Sequence, residues 1–262
     1  MHGTDPPLTS TCKDVNVDGL TVRCRTAGTG SSVLLLHGWG GSMDSMATIS
    51  NELTKTYTVY SVDLPGHGRS DLPPKPWGTP EFTSCVLRVM DLLDLQSPDI
   101  VGHSFGGRLA IHLAALHPER VGRLVLVDSA GVIPPRRLKY RIRVGVAKFA
   151  KFLSRYGGPL GQKFRNYVYG KVASKDYISA GPLRDSLVRV VNEDLTPLMP
   201  HINKPTLLVW GRNDEDTPVS SALTMQKLIT GAQLVVLENA GHFSYIDQKN
   251  QFDLHLKRFL RT

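Results

Sequence analysis

Two hydrophobic rhythms alternate along this chain. Short continuous apolar runs, among them "SVLLLHG" at 32–38, "YTVYSVDLPG" at 57–66, "PDIVGHS" at 98–104 and "VGRLVLVDSA" at 121–130, read as strands covered on both faces. Between them stand stretches with helical spacing. "PEFTSCVLRVMDLLDLQ" carries Val86, Val89, Leu92 and Leu93 along one face, and "FGGRLAIHLAALHPER" follows the third of those strands directly. "VNVDGLTVRCRTAG" predicts a hairpin turning at Asp18-Gly19. After residue 200 the alternation resumes with strand "KPTLLVWG", helix "PVSSALTMQKLI", strand "AQLVVLENAG" and a closing helix "QFDLHLKRFL". Strand and helix alternating at this spacing predict one α/β core with a mostly parallel sheet between helices.

One segment interrupts the alternation, and its charge sets it apart. Between Ile133 and Met199 stand 14 Lys or Arg against four Asp or Glu, while the rest of the chain holds 17 basic and 19 acidic residues. The net charge of +8 therefore belongs to an insertion and not to the core. Within it, "YRIRVGVAKFAKFLSRYG" aligns Ile142, Val146, Phe149 and Leu153 on one helical face, with Arg143, Lys148, Lys151 and Arg155 largely elsewhere. The expected organisation is a core of residues 1–132 and 200–262, with a helical cap of 133–199 inserted after the sixth major strand. No aromatic–basic groove or helix-turn-helix pattern accompanies the charge, which argues against nucleic acid. The basic residues read as a solvated outer face, or alternatively as a surface that attracts anionic substrates or a phospholipid surface.

No apolar run approaches the roughly 18–20 residues of a membrane-crossing helix. The N-terminal residues lack the basic start and apolar stretch of a secretory signal. Cys12, Cys24 and Cys85 are odd in number and in no metal-ligand spacing, so a reduced, cytoplasmic location is expected.

The chemistry gathers at the ends of the predicted strands, where parallel sheets place their ligands. In "VGHSFGG", Ser104 sits between Gly102 and Gly106, the pattern of a strand that turns at once into a helix with one side chain raised at the corner. A serine hydroxyl needs a base within reach, and histidine, with an unperturbed pKa of about 6.5, suits that task. His242 lies a few residues beyond the "AQLVVLENAG" strand, and acids cluster in "WGRNDEDTP". With "HGWGG", "DLPGHGRS", "GHSFGG", "WGRNDEDTP" and "AGHF" in this order over nearly its whole length, the chain resembles the α/β-hydrolase fold superfamily, in particular serine-nucleophile, esterase-like members with a helical lid.

The resemblance implies Ser104 as nucleophile, His242 as base and Asp214 as the acid, with Asp216 two residues later as its competitor. It also implies an oxyanion hole from the main-chain N–H groups of Phe105 and, from the loop after the "LLLHG" strand, Trp39. The implied reaction is hydrolysis of a small to medium carboxylic ester through an acyl-enzyme, with no metal or organic cofactor. The insertion would form the lid. Ser104 argues strongly against an Asp nucleophile such as that of haloalkane dehalogenases and epoxide hydrolases. Carbon–carbon bond hydrolases of aromatic degradation are the main enzymatic alternative. A non-catalytic ligand-binding member of the fold is the alternative from another class.

Several nearby residues read as scaffolding. His37 is expected to order the oxyanion loop, His103 to point away from Ser104 and pack inside, and Asp63 to tie its own loop. His67 reads as structural, and Asp128 as lying near where an alternative acid could sit.

Overall fold

A computed structural model of the chain describes residues 10–133 and 179–261. Eight strands form one sheet: β1 (Ser10–Val17), β2 (Leu20–Ala27), β3 (Ser32–Leu36), β4 (Thr58–Val62), β5 (Asp99–His103), β6 (Leu124–Val127), β7 (Thr206–Gly211) and β8 (Gln233–Leu237). Their spatial order is β1-β2-β4-β3-β5-β6-β7-β8. The first two pairings, β1 with β2 and β2 with β4, are antiparallel, and all others are parallel. The hairpin turns where expected: Asp18 and Gly19 both take positive φ, 50° and 92°, and Val17 pairs with Leu20.

The helices are α1 (Ala47–Leu53), α2 (Thr79–Leu92), α3 (Phe105–Leu116), α4 (Arg184–Asn192), α5 (Val219–Leu228), the single turn α6 (Ser244–Asp247) and α7 (Lys249–Arg261). Alternate side chains of the central strands feed two cores. Leu34, Leu36, Ile100, Leu124 and Leu126 pack with α2, α3 and α5 on one face. Val33, Leu35, Val101, Val125 and Val127 pack with α1 and α7 on the other. Burial on both sides is why these strands run apolar in succession rather than alternating apolar with polar positions. No described helix is long and apolar enough to cross a membrane.

Strand order reverses between β3 and β5, so the connections leave these neighbours toward opposite edges of the sheet. A crevice opens at such a point beyond the carboxyl ends of the strands. The loop of Trp39 follows β3 and Ser104 follows β5, so the topology delivers both to it.

Much of the expected cap, including the run with Ile142, Val146, Phe149 and Leu153, lies outside the described residues. Its return is described. The Leu195 N–H donates to the Gly131 oxygen at 2.9 Å, and Arg108 Nη1, on α3, donates to the Glu193 oxygen at 2.9 Å. The main chain of Gly131 is thus joined to that of Leu195, on the two sides of the insertion.

Candidate active site

Ser104 stands between the last residue of β5 and the first of α3 with φ 50° and ψ −109°. For a residue with a Cβ this conformation costs on the order of 1–3 kcal/mol, and the surroundings hold it. The Ser104 N–H donates to the Val127 oxygen, and the Ala130 N–H donates back to the Ser104 oxygen, each at 3.0 Å. The flanking glycines answer to contact. A Cβ on Gly102 would lie 2.6 Å from the Gly106 oxygen, and one on Gly106 would fall on the Leu36 carbonyl.

His242 arrives from the loop beyond β8. Its Nε2 lies 3.0 Å from Ser104 Oγ and its Nδ1 2.9 Å from Asp214 Oδ2. A carboxylate only accepts, so Nδ1 carries the ring proton and Nε2 presents its lone pair to the Ser104 hydroxyl. Asp214 follows β7 and is itself over-determined. Its Oδ1 accepts the N–H groups of Asp216 and Thr217, both at 2.9 Å, and its Oδ2 accepts the Thr217 hydroxyl at 2.7 Å. Asp214 is buried, whereas Glu215 and Asp216 are exposed, so the structure brings Asp214 to His242 and leaves its two neighbours outside that contact.

Burial alone would lower the His242 pKa, but the hydrogen bond and charge of Asp214, with the charges of Asp128 and Asp216, carry it above its ordinary value. Burial would raise Asp214, and the hydrogen bonds from His242 and Thr217 bring it below the usual carboxylate value. The pair is thus arranged to favour an imidazolium beside a carboxylate.

The two residues expected to supply the oxyanion hole have side chains in contact. The rings of Trp39 and Phe105 meet edge to face with centroids 5.1 Å apart. A Cβ on Gly38 would sit 3.3 Å from Ser104 Cβ, so the loop after β3 runs against the elbow. Phe105 opens α3, where helical N–H groups have no partner within the helix. Among the described residues no hydrogen bond uses the N–H of Trp39 or Phe105.

The scaffold residues do what their positions predict. His37 is fully buried; its Nε2 accepts the Leu64 N–H at 3.0 Å and its Nδ1 donates to the Gly38 oxygen at 2.7 Å. Burial, with the neighbouring His67 and His103, lowers its pKa to about 3, so it stays neutral. Asp63 accepts the N–H groups of Met43 and Arg69 at 2.7 and 2.9 Å, joining two loops. His103 is buried with Nε2 2.8 Å from the His242 oxygen. His67 is buried against the Trp39 ring, with centroids 5.0 Å apart. Asp128 is buried and makes no hydrogen bond to the His242 ring; its carboxylate binds Gly211 and Ser244 instead.

Two further participants are not among the residues the sequence singles out: Thr217 and Ser244. The first has a local signal, since an Asp followed three residues later by Thr forms a side-chain-capped turn. The second has none. Asp214, Asp216 and His242 also form the one described group of three metal-capable side chains, with ligand atoms within 4.8 Å of one another. Asp214 and His242 already satisfy each other there.

Known proteins place this geometry in a family. A family model described as the alpha/beta hydrolase fold matches residues 31–249. Pimeloyl-[acyl-carrier protein] methyl ester esterase of Aliivibrio fischeri is 28% identical, with 90% of this chain and 96% of that protein covered. The 2-hydroxymuconate semialdehyde hydrolase of Pseudomonas putida is 29% identical, with 95% and 93% covered. Among solved structures, a membrane phospholipase A described as a bacterial virulence factor aligns with a TM-score of 0.77 and 27% identity, over 96% of this chain and 86% of that one. With a family model spanning most of its length, and with relatives that are themselves hydrolases, the chain belongs to the alpha/beta hydrolase family and is a hydrolase.

Proposed function

We propose that this hydrolase cleaves carboxylic esters of small to medium size through an acyl-enzyme, with Ser104 as nucleophile, His242 as general base and Asp214 as its orienting acid. The observation that carries the reading is the pair of contacts on one imidazole: 3.0 Å to Ser104 Oγ and 2.9 Å to Asp214 Oδ2. In the first step His242 Nε2 takes the Ser104 proton as Oγ attacks the ester carbonyl. Negative charge moves to the carbonyl oxygen, where the N–H groups of Trp39 and Phe105 receive it. The imidazolium then gives its proton to the departing alkoxide, and an alcohol leaves. Water, deprotonated by the same nitrogen, attacks the acyl-enzyme and returns Ser104 with the free acid. Asp214 remains a carboxylate throughout and holds the tautomer.

Residues 133–199 are proposed to form the cap over this centre, with its basic surface facing solvent. Its net positive charge also supports attraction of anionic substrates or phospholipid surfaces, and the likeness to a membrane phospholipase A favours keeping such a surface among the substrates tried. Three unpaired thiols, two of them buried, support a reducing compartment such as the cytoplasm.

The test is a series of p-nitrophenyl esters from acetate to long acyl chains, run beside Ser104→Ala. Hydrolysis by the wild type and its loss in the variant supports the reading, and the preferred chain length sizes the acyl site. A second reading, a carbon–carbon bond hydrolase acting on acidic dienoate-type substrates, is favoured by the similarity to a 2-hydroxymuconate semialdehyde hydrolase. It predicts that a fluorophosphonate labels Ser104 while every ester in the series resists cleavage.

A further inference from the structure

One buried carboxylate stands outside the proposed triad yet touches the loops that carry it. Asp128, fully buried at the exit of β6, has a φ of 44°. Its Oδ1 accepts the Gly211 N–H at 2.8 Å, and its Oδ2 accepts both the Ser244 N–H at 3.0 Å and the Ser244 hydroxyl at 2.6 Å. Gly211 opens the loop that bears Asp214, and Ser244 lies two residues past His242. The main-chain oxygen of Asp128 lies 3.0 Å from Thr217 Oγ1, the hydroxyl that also reaches Asp214. Nearby Val127 and Ala130 make two of the main-chain bonds that hold Ser104. One turn of chain therefore meets the nucleophile, the acid loop and the base loop.

We propose that Asp128 is a positioning residue for the Ser104–His242–Asp214 centre: its carboxylate ties the Asp214 loop to the His242 loop, and its negative charge supports the imidazolium formed during attack. The inference rests on the triad reading above. The geometry asks for more than a fold contact. All three donors to the carboxylate are neutral, so they satisfy its lone pairs without cancelling its charge, and that charge acts in a water-poor interior where fields are weakly screened. Among the described residues, the titratable groups that act on it are Asp214, His242 and Tyr245. The first two form the proposed charge pair, and the Tyr245 hydroxyl is turned to the Ser45 oxygen at 3.0 Å. Burial pushes the Asp128 carboxyl up to about 7 against its three hydrogen bonds, with the Asp214 charge acting in the same direction as burial. The carboxyl is therefore partly ionised near neutral pH and increasingly so above it, which keeps the expected shift of the acid-side midpoint small.

The experiment uses an alkyl fluorophosphonate, which needs no knowledge of the natural substrate, and measures the maximal labelling rate and half-saturation from about pH 5 to about pH 9. Asp128→Asn preserves size and removes the charge. It is expected to label about 10-fold more slowly at unchanged half-saturation, with the acid-side midpoint moved down by about half a unit, because a cation-supporting charge is gone. Slower labelling with an unmoved midpoint, or labelling at the wild-type rate, overturns the proposal. If Asp128→Asn does not fold, Ser244→Ala decides, since it removes one bond to the carboxylate and keeps the charge. A several-fold slower maximal rate at unchanged half-saturation supports the positioning role, and an unchanged rate overturns it. Ser104→Ala separates the two readings. Loss of labelling there with no effect at Asp128 leaves the triad standing and removes only this inference; persistent labelling removes both.

Discussion

His103, the residue directly before Ser104, holds the main chain of His242: its Nε2 lies 2.8 Å from the His242 carbonyl oxygen. Burial, with the neighbouring His242, lowers the His103 pKa to about 4, so the ring is neutral and donates that proton. The strand that presents the nucleophile thereby also fixes the backbone of the base. His103→Phe removes the donor and leaves a partly buried carbonyl unmatched. Its kcat on an ester is expected to fall about 10-fold at nearly constant KM, with a stability loss of about 1–3 kcal/mol. His103→Gln, which keeps a donor, recovers part of the rate. Equal kcat in the wild type and His103→Phe would count against the tie.

Ser104→Ala removes the atom proposed to carry the acyl group. Ester hydrolysis is expected to drop by about 10⁴-fold or more, and mass spectrometry should find no fluorophosphonate adduct on the peptide spanning residue 104. A variant that still turned over ester at a tenth of the wild-type rate would require a different nucleophile.

The pH profile of kcat/KM has a determined sign. The proposed base works only as neutral imidazole, and His242 is raised above its ordinary value once Asp214, Asp128 and Asp216 outweigh burial. The acid limb is expected above the usual histidine pKa of about 6.5, with activity lost as pH falls through it. Asp214→Asn should move that midpoint down and lower kcat by about 10⁴-fold, as the tautomer is no longer enforced. A limb below about pH 6 in the wild type would contradict the charge arrangement.

Thr217→Val removes the hydroxyl that donates to Asp214 at 2.7 Å while leaving its N–H in place. A loss of about 1–2 kcal/mol is expected near neutral pH, typical of a hydrogen bond to a charged group. The sign of its pH dependence follows from the lowered Asp214 pKa. Stability from a depressed carboxylate is present above the unfolded value of about 3.9 and lost as pH falls through the folded value. Thermal denaturation should therefore separate the two proteins at neutral pH and bring their midpoints closer once acid carries the pH below the ordinary carboxylate range. A gap that stayed constant into acid would mean the hydroxyl does not act through the carboxylate.

Gly106→Ala places a methyl on the Leu36 carbonyl, a backbone atom that cannot swing aside. A loss on the order of 3 kcal/mol is expected, or roughly a 5–10 °C fall in Tm for a domain of this size. Gly19→Ala meets nothing within 4 Å and bears only the strain of its φ of 92°, so it should cost less; a reversed order would refute the steric reading of the elbow.

What the sequence revealed followed the strength of its periodic signals. The central strands, α2, α3, α5 and α7 were legible because double burial and helical spacing leave plain patterns. α1 was not expected: seven residues, with Ile49 and Leu53 as its main core contacts, are too few to establish a period. The single turn α6 was missed for the same reason. At the site, the glycine spacing around Ser104 and the order of strand ends marked residues that the structure brings within hydrogen-bond reach. The choice of Asp214 over Asp216 came from resemblance, and the structure gives it a physical form: one carboxylate is buried and bonded by the turn, the other exposed. The sequence marks Asp128 only as a nearby acid, because its partners lie 83 and 116 positions away, beyond any local pattern.

The junction of Gly131 with Leu195 has a consequence for how such an enzyme diversifies. A main-chain bond closes it at 2.9 Å, so the core meets the excursion as two adjacent chain ends whatever lies between them. Lengthening a closed loop is cheap, about 0.6 kcal/mol for each doubling. Excursions of different length, charge and shape can therefore be exchanged at this point while the strand ends below keep their spacing. On the proposed division into core and cap, the bond joining Gly131 to Leu195 lets the stretch between them change length at little cost to the contact between Ser104 and His242.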